Sequence, residues 1–281
     1  MGSGYQKRDF EVIDYNLYHL PKIKHPLRGP ANNKLKKNNY ICCIGAAQTF
    51  GCYVDEPYPY LIQKELNIST LNLGFSGAGP SFFLNKKHYL RYINNGKFAI
   101  LQVLSGRSES NSLLLSRNGK GMLELNGESM PAAKAYQFIV DNYDIDFINK
   151  LINETRDNYM MNMKQLINKI NVPIILLWFS KRTPEYAIKF DNNQGILGSY
   201  PHLINQEMID EMKNYCTDYV EVVSSKGLPQ KLFSRFTKEA VSVNKMPQLG
   251  GGKRGYNSYY PSPEMHKKAS EKLIKVCKKL V

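Results

Sequence analysis

The chain is poor in cysteine, and the five it has carry no recognisable chemistry. Cys42, Cys43, Cys52, Cys216 and Cys277 are odd in number, and their spacing suits neither a disulfide framework nor a zinc site. Cys42 and Cys43 sit inside an apolar run, where they are expected to pack as small hydrophobes. That usage predicts a reducing, cytoplasmic setting. Apolar runs near 18 residues are missing, so no membrane span is expected, and no signal peptide is visible. No GxxxxGK[ST] phosphate loop occurs and no GxGxxG follows a strand; Ser76-Gly77-Ala78-Gly79-Pro80 holds only two of the glycines needed. HExxH, CxxC and other metal-ligand clusters are lacking, so no metal is expected. Signatures of helix-turn-helix, ribonucleoprotein-type and zinc-finger modules are also lacking, so specific nucleic-acid binding is not expected. No internal repeat or low-complexity tract stands out.

What is present is a long, basic, globular sequence. Its 281 residues suffice for one large α/β domain, and 42% hydrophobic residues are enough for a core. The 38 basic and 24 acidic residues leave a net charge of +14, which favours anionic partners or reflects a lysine-rich solvated surface. Met1 to Gly4 reads as an added leader. Residues 5–39 are polar and basic with Pro21, Pro26 and Pro30, and read as an extended N-terminal arm or an irregular N-terminal lead, with partner or acceptor binding as the functional alternative.

From Tyr40 strands and helices alternate. YICCIGA, STLNLG, KFAILQVLSG, VPIILLWFS and DYVEVVS are apolar runs of strand length. Between them lie a helix starting near Pro57, another from about Pro80, one over roughly 145–170 with helical apolar spacing, and QEMIDEMKNYC. SPEMHKKASEKLIKVCKKL closes the chain as an amphipathic helix with lysines in its last turns. Residues 117–142 are less regular and read as an insertion in a single domain over 40–281; residues 248–255 read as a flexible loop. Alternation of this kind predicts a three-layer α/β/α fold on a mainly parallel five-stranded sheet, as in flavodoxin-like folds. Ligands then belong at the carboxyl ends of the strands. The unusual polar residues fall there: GAAQTFG, NLGFSGAG, LSGRSESNS, WFSKRTPEY and VVSSKGLPQ.

The order of these strand ends resembles the SGNH hydrolase superfamily over about residues 40–280. In that family a Gly-Asp-Ser loop after the first strand carries the nucleophilic serine. A glycine after the second strand and an asparagine after the third supply oxyanion-hole donors, and an Asp-x-x-His pair near the last helix completes the triad. Here Gly45-Ala46-Ala47-Gln48-Thr49-Phe50-Gly51 occupies the first block and Asn72-Leu73-Gly74-Phe75-Ser76-Gly77 the second. Ser105-Gly106-Arg107-Ser108-Glu109-Ser110-Asn111 occupies the third, and Asn257-Ser258-Tyr259-Tyr260-Pro261 with His266 the last. Ala46 and Ala47 replace the acid and the nucleophile, and Asn257 and Tyr260 stand where the Asp and His would be. A methyl cannot attack a carbonyl, so a serine esterase of the SGNH type is not expected. The chain also resembles, more closely, an uncharacterised bacterial family with the pattern GAAQTFG…PYP…NLGxGGAGPxFFL…YYPSPEMH. That resemblance implies surface-polysaccharide and sulfotransferase-like contexts.

Small residues in the first loop let a ligand approach the main chain, and turn amides suit phosphate or sulfate oxygens; alternatively Ala46 and Ala47 simply pack. The expected anionic-donor site comprises Gln48, Thr49, Gly74, Gly77, Ser105, Ser108, Asn111, Lys181 and Arg182. Arg107 suits bidentate recognition of sulfate, phosphate or carboxylate, or else ties loops together. His202, His266 and Glu109 are the candidate bases, each with a structural alternative. Tyr259 and Tyr260 are expected to stack a sugar or base, or to pack.

The expectation is a group transferase acting on a carbohydrate or small-molecule hydroxyl. Sulfuryl transfer would draw on 3′-phosphoadenosine 5′-phosphosulfate, and the close variant, acyl transfer, on acyl-coenzyme A. A base would take the acceptor proton while Arg107, Lys181 or Arg182 steadies the transferred group. The alternative is a non-catalytic SGNH-like module for an acidic glycan or a partner protein; a residual hydrolase comes third.

Overall fold

The computed structural model describes residues 4–31, 35–241 and 255–281. In chain order its elements begin with α1 (Gly4–Asp9), β1 (Tyr40–Gly45), α2 (Ala47–Phe50), α3 (Tyr58–Leu66), β2 (Ser69–Gly74), α4 (Pro80–Leu84), α5 (Lys87–Asn94) and β3 (Phe98–Gln102). They continue with β4 (Met122–Leu125), β5 (Glu128–Pro131), α6 (Ala132–Asn142), α7 (Ile145–Asn168) and β6 (Ile174–Ser180). The last are α8 (Asn193–Leu197), α9 (Gln206–Lys213), β7 (Asp218–Val223), β8 (Gln230–Lys231), β9 (Tyr256–Asn257) and α10 (Pro263–Cys277).

The five apolar runs pair as one parallel sheet in the order β2-β1-β3-β6-β7. The register sets Cys42 beside Leu71, Ile41 beside Phe98, Ala99 beside Ile174 and Leu177 beside Val220. Side chains alternate across a strand, so each run feeds two cores. Cys42, Ile44, Leu101, Leu176 and Trp178 face one side and pack with Tyr159, Met163 and Leu166 of α7. Ile41, Cys43, Ile100, Leu177 and Phe179 face the other, against Tyr58 and Ile62 of α3 and Met265, Ala269 and Leu273 of α10. Burial on both faces is why β1 and β6 read as continuous hydrophobic runs, whereas β7, at the edge, alternates. This is the three-layer α/β/α fold with the SGNH-like layout.

Local chemistry sets the helix ends. The Asp144 side chain caps α7 by accepting from Phe147 N, Asn205 caps α9 through Met208 N, and Ser262 caps α10 through Met265 N with Pro263 following. Gly51 ends α2 at φ 81°, in the left-handed region.

Two stretches differ from their sequence reading. The N-terminal lead is packed rather than extended: α1 opens it, irregular chain follows, and Ile13, Tyr15, Ile23 and Leu27 are buried. Arg28 donates to the carbonyls of Val54 and Asp55 at 2.8 and 3.1 Å. Residues 117–142 form the antiparallel β4–β5 hairpin and α6, whose Leu123, Ala135, Tyr136 and Ile139 share a core with Ile148 and Leu151 of α7. The expected loop over 248–255 lies, except for Gly255, outside the described residues. All five cysteines are free thiols. Among the described residues no helix is long and apolar enough to cross a membrane.

Candidate functional site

The carboxyl ends of β1, β2 and β3 open into a crevice of about 310 Å³. Its floor is Ala46, Ala47 and Gln48, and Ser76, Gly77, Ser105, Arg107 and Ser108 form one side. Tyr5, Tyr200, Tyr259 and Tyr260 form the aromatic side, and the insertion adds Lys120. A second hollow of about 530 Å³ adjoins it, sharing Arg107, Tyr200 and Tyr259 and adding Lys181 and His202.

The first loop is held from below. Gln102, the last residue of β3, accepts through Oε1 from Ala46 N at 3.2 Å, Thr49 N at 3.2 Å and Thr49 Oγ1 at 2.6 Å. Its amide nitrogen donates to Tyr200 Oη at 2.7 Å. One buried side chain thus pins the turn where a hydrolase would hold its serine. Gln48 is 3% exposed, and among the described residues its Oε1 is buried without a hydrogen-bond partner, at a cost of about 1–3 kcal/mol.

The turn after β3 supplies the charged part. Ser105 Oγ lies 3.0 Å from Nδ1 of His202, and Arg107 Nη1 lies 3.4 Å from its Nε2. Burial, then Arg107 and Arg182, hold the His202 pKa well below the usual histidine value, so the imidazole is neutral with one N–H. A guanidinium only donates, so Nε2 carries the lone pair and Nδ1 the proton. His202 therefore donates to Ser105, and the Ser105 hydroxyl proton is left to point at a ligand. A serine that accepts from its histidine is not deprotonated by it. Ser105 is a hydrogen-bond donor here, not a nucleophile. Among the described residues Arg107 has no carboxylate partner.

Several expected site residues are turned elsewhere. Thr49 is fully buried and bonded to Gln102 and Tyr58, so it does not face the crevice. Gly74 is a packing glycine, since a Cβ there would lie 2.2 Å from Phe50 N. Asn111 organises its own turn, accepting from Leu113 N and Leu114 N and donating to Thr155. Arg182 donates to the carbonyls of Ser199, Thr183, Pro184, Pro201 and Ile204 and stacks over Trp178 and Tyr186. It latches the loop after β6 and has no donor to spare for an anion. Lys181 borders the second hollow and donates to the carbonyl of Ser258 at 3.1 Å. Gly77 and Ser108 border the crevice, joined by a 2.9 Å bond from Ser108 Oγ to the Gly77 carbonyl.

None of the three expected bases can take a proton in the crevice. His266 is fully buried on α10; its Nδ1 accepts from Tyr58 N at 3.1 Å, and burial pushes its pKa down to about 3. Glu109 is buried behind the wall, accepting from Ser81 Oγ at 3.0 Å and Asn162 Nδ2 at 2.6 Å. Burial raises its pKa. His202 has both nitrogens engaged. Tyr259 borders both hollows, while Tyr260 is mostly buried, its ring edge-on to Tyr259 at 5.0 Å and near Arg8. Asn257 accepts from Tyr259 N and Tyr260 N and so shapes that turn.

Sequence reasoning missed Tyr5, Lys120, Gln102 and Tyr200. Gln102 left a signal, a lone amide inside an apolar strand run. Tyr5 and Lys120 come from the lead and the insertion, where nothing in the local sequence points to the crevice. Among the described residues no group of His, Cys, Asp and Glu could hold a metal ion.

The chain belongs to the family described as Domain of unknown function (DUF6473), whose model matches residues 4–115 and 144–281. The matched parts leave out most of the β4–β5 hairpin and α6 region. No curated protein matches the chain. Among solved structures it is similar to a protein from Slackia heliotrinireducens assigned to the SGNH hydrolases, at 10% identity and TM-score 0.43, over 85% of this chain and 99% of that one. It is similar to a family 2 carbohydrate esterase with a carbohydrate-binding domain from Corynascus thermopiles, at 10% identity and TM-score 0.43, over 91% and 69% of the two chains. It is also similar to a family 2 carbohydrate esterase from Clostridium thermocellum in complex with cellohexaose, at 11% identity and TM-score 0.39, over 90% and 66%.

The expected group transfer, sulfuryl or acyl, is overturned. The similar structures are described as hydrolases and esterases rather than sulfotransferases. The bases and the Arg182 cation that transfer required are also committed elsewhere. The alternative, a non-catalytic module for an acidic glycan or partner protein, gains no better support.

Proposed function

We propose that the crevice takes an esterified carbohydrate, or a hydroxylated small molecule of similar size, and hydrolyses the ester by direct attack from solvent. The observation that carries this reading is the Arg107–His202–Ser105 chain. Each donor polarises the next, so the Ser105 hydroxyl is a strengthened donor beside a guanidinium with no carboxylate partner. Together they suit a carbonyl oxygen that gains negative charge. Hydroxide from the solvent adds to the carbonyl carbon, the oxygen charge rests on Ser105 and Arg107, and the C–O bond breaks; the departing alkoxide takes the proton of the newly formed acid, giving the carboxylate and the free alcohol. Gln48 Oε1 suits a ligand hydroxyl, and the tyrosine side suits a sugar face. A volume of about 310 Å³ is small-ligand sized. With no serine at Ala46 or Ala47, turnover is expected to be slow. An oxyanion site and binding alone typically leave a rate about 10³–10⁴-fold above water.

The test is release of acid from acetylated mono- and disaccharides, with mass spectrometry of the protein after a fluorophosphonate. The expected result is hydrolysis above the spontaneous rate, no fluorophosphonate adduct, and a loss of about 10- to 100-fold in both Arg107→Ala and Ser105→Ala. Release no faster than in buffer overturns the reading, as does a fluorophosphonate adduct in the crevice.

A further inference from the structure

The basic charge of this chain is segregated. Residues 15–54 and 66–108 hold eleven Lys or Arg and no Asp or Glu. The fold sets residues 22–25 of the first segment beside residues 85–89 of the second, at the start of α5. A groove of about 530 Å³ forms there between Lys22, Lys24 and His25 on one side and Lys86, Lys87 and His88 on the other. Among the described residues none of these four lysines has a carboxylate within ion-pair distance.

His25 is built into the groove. Its ring lies edge-on to Phe75 and Phe82, with centroids 5.7 and 5.8 Å away. Its Nδ1 is 2.7 Å from Tyr89 Oη. Burial pushes the Tyr89 phenol up to about 12, so it keeps its proton and can donate it to Nδ1. The ring's other nitrogen then carries the N–H. Burial, then Lys120, Lys86 and Lys24, lower the His25 pKa, so three ammonium groups crowd one neutral ring. Lys86 and Lys120 both lie over the Phe82 ring, 5.6 and 4.9 Å from its centroid.

We propose that this groove is a binding site for a multivalent phosphate anion, held between the Lys22–His25 and Lys86–His88 segments. Like charges gathered without a carboxylate repel one another, and a counter-anion relieves that repulsion. Four ammonium groups from two sides match a ligand with at least two phosphate groups better than one phosphate or a carboxylate. Lysine acts as a point charge with three donors, which suits tetrahedral oxygens met from several directions. The site is separate from the Arg107–Ser105 pair, so it does not depend on ester hydrolysis.

The experiment is calorimetric titration of the whole chain with tripolyphosphate, and with inorganic phosphate, at 0.15 M salt. The expected result is saturable one-site binding of tripolyphosphate at least about tenfold tighter than phosphate. Binding should weaken at least about tenfold in Lys24→Glu/Lys86→Glu, but less than about threefold in Lys150→Glu/Lys275→Glu, which removes the same charge from α7 and α10. Arg107→Ala should leave it unchanged. Melting curves establish that each variant is folded, and His25→Ala supplies a second test within the groove. Equal loss in both charge-reversal pairs overturns the proposal, because net charge alone would then explain the binding. Absence of saturable binding overturns it too.

Discussion

The loops after β3 and β6 each carry an arginine, and they use it in opposite ways. Arg182 gives its donors to five backbone carbonyls and stacks on Trp178 and Tyr186. Among the described residues Arg107 hydrogen-bonds only to His202. The difference shows that a cation at a strand end is a ligand-binding group only when the local backbone leaves its donors unclaimed. The buried histidines repeat the contrast. His266 is held by one backbone N–H between Tyr58 and Phe179, whereas His202 links a charged donor to a hydroxyl at the crevice.

Removing each arginine in turn is the strongest way to break the comparison. Arg182→Ala leaves the Pro201 and Ile204 carbonyls without their donor and should cost about 3 kcal/mol in urea unfolding. Arg107→Ala should stay within about 0.5 kcal/mol of the parent in the same assay. Its effect should appear in ester hydrolysis, as the loss of about 10- to 100-fold predicted above. If Arg107→Ala destabilises as much as Arg182→Ala, the two loops do not differ in kind.

The histidines give a pH test of somewhat smaller size. The folded pKa of His266, about 3, lies below the ordinary value near 6.5. Between those values the unfolded chain binds a proton that the folded chain refuses. Its contribution is therefore complete above pH 6.5 and is lost as pH falls towards 3. Between pH 7 and 5 the parent should lose about 2 kcal/mol more than His266→Gln, which keeps an acceptor for Tyr58 N but does not titrate. Equal losses would mean that His266 is not held neutral. The smallest expected effect is in the first loop. Ala47→Ser places a hydroxyl on the crevice floor, but no base reaches it, so fluorophosphonate should still leave no adduct. Labelling of that variant would show that a crevice group can accept its proton.

The sheet was legible because each strand is buried on both faces and reads as an apolar run bounded by small or polar residues. The crevice position followed from the parallel order. The role of each polar residue was not legible, because it depends on groups distant in sequence. Nothing near Arg182 reveals that the carbonyls of residues 199–204 turn back onto it. Thr49 looks as available as Gln48, yet Thr49 is bonded to Gln102 and Tyr58 while Gln48 lines the crevice floor. Ile13, Tyr15 and Leu27 are too scattered to show periodicity, so a packed lead reads as an arm.

The wall of the crevice joins residues from both extremes of the described chain. Arg8 and Tyr260, 252 positions apart, meet beside it. A ribosome must therefore deliver the chain as far as Tyr260 before that wall exists. The central strands can pair earlier, while α1 waits for its partner. The crevice is then completed after the sheet, and a nascent chain with all five strands paired would still lack that wall.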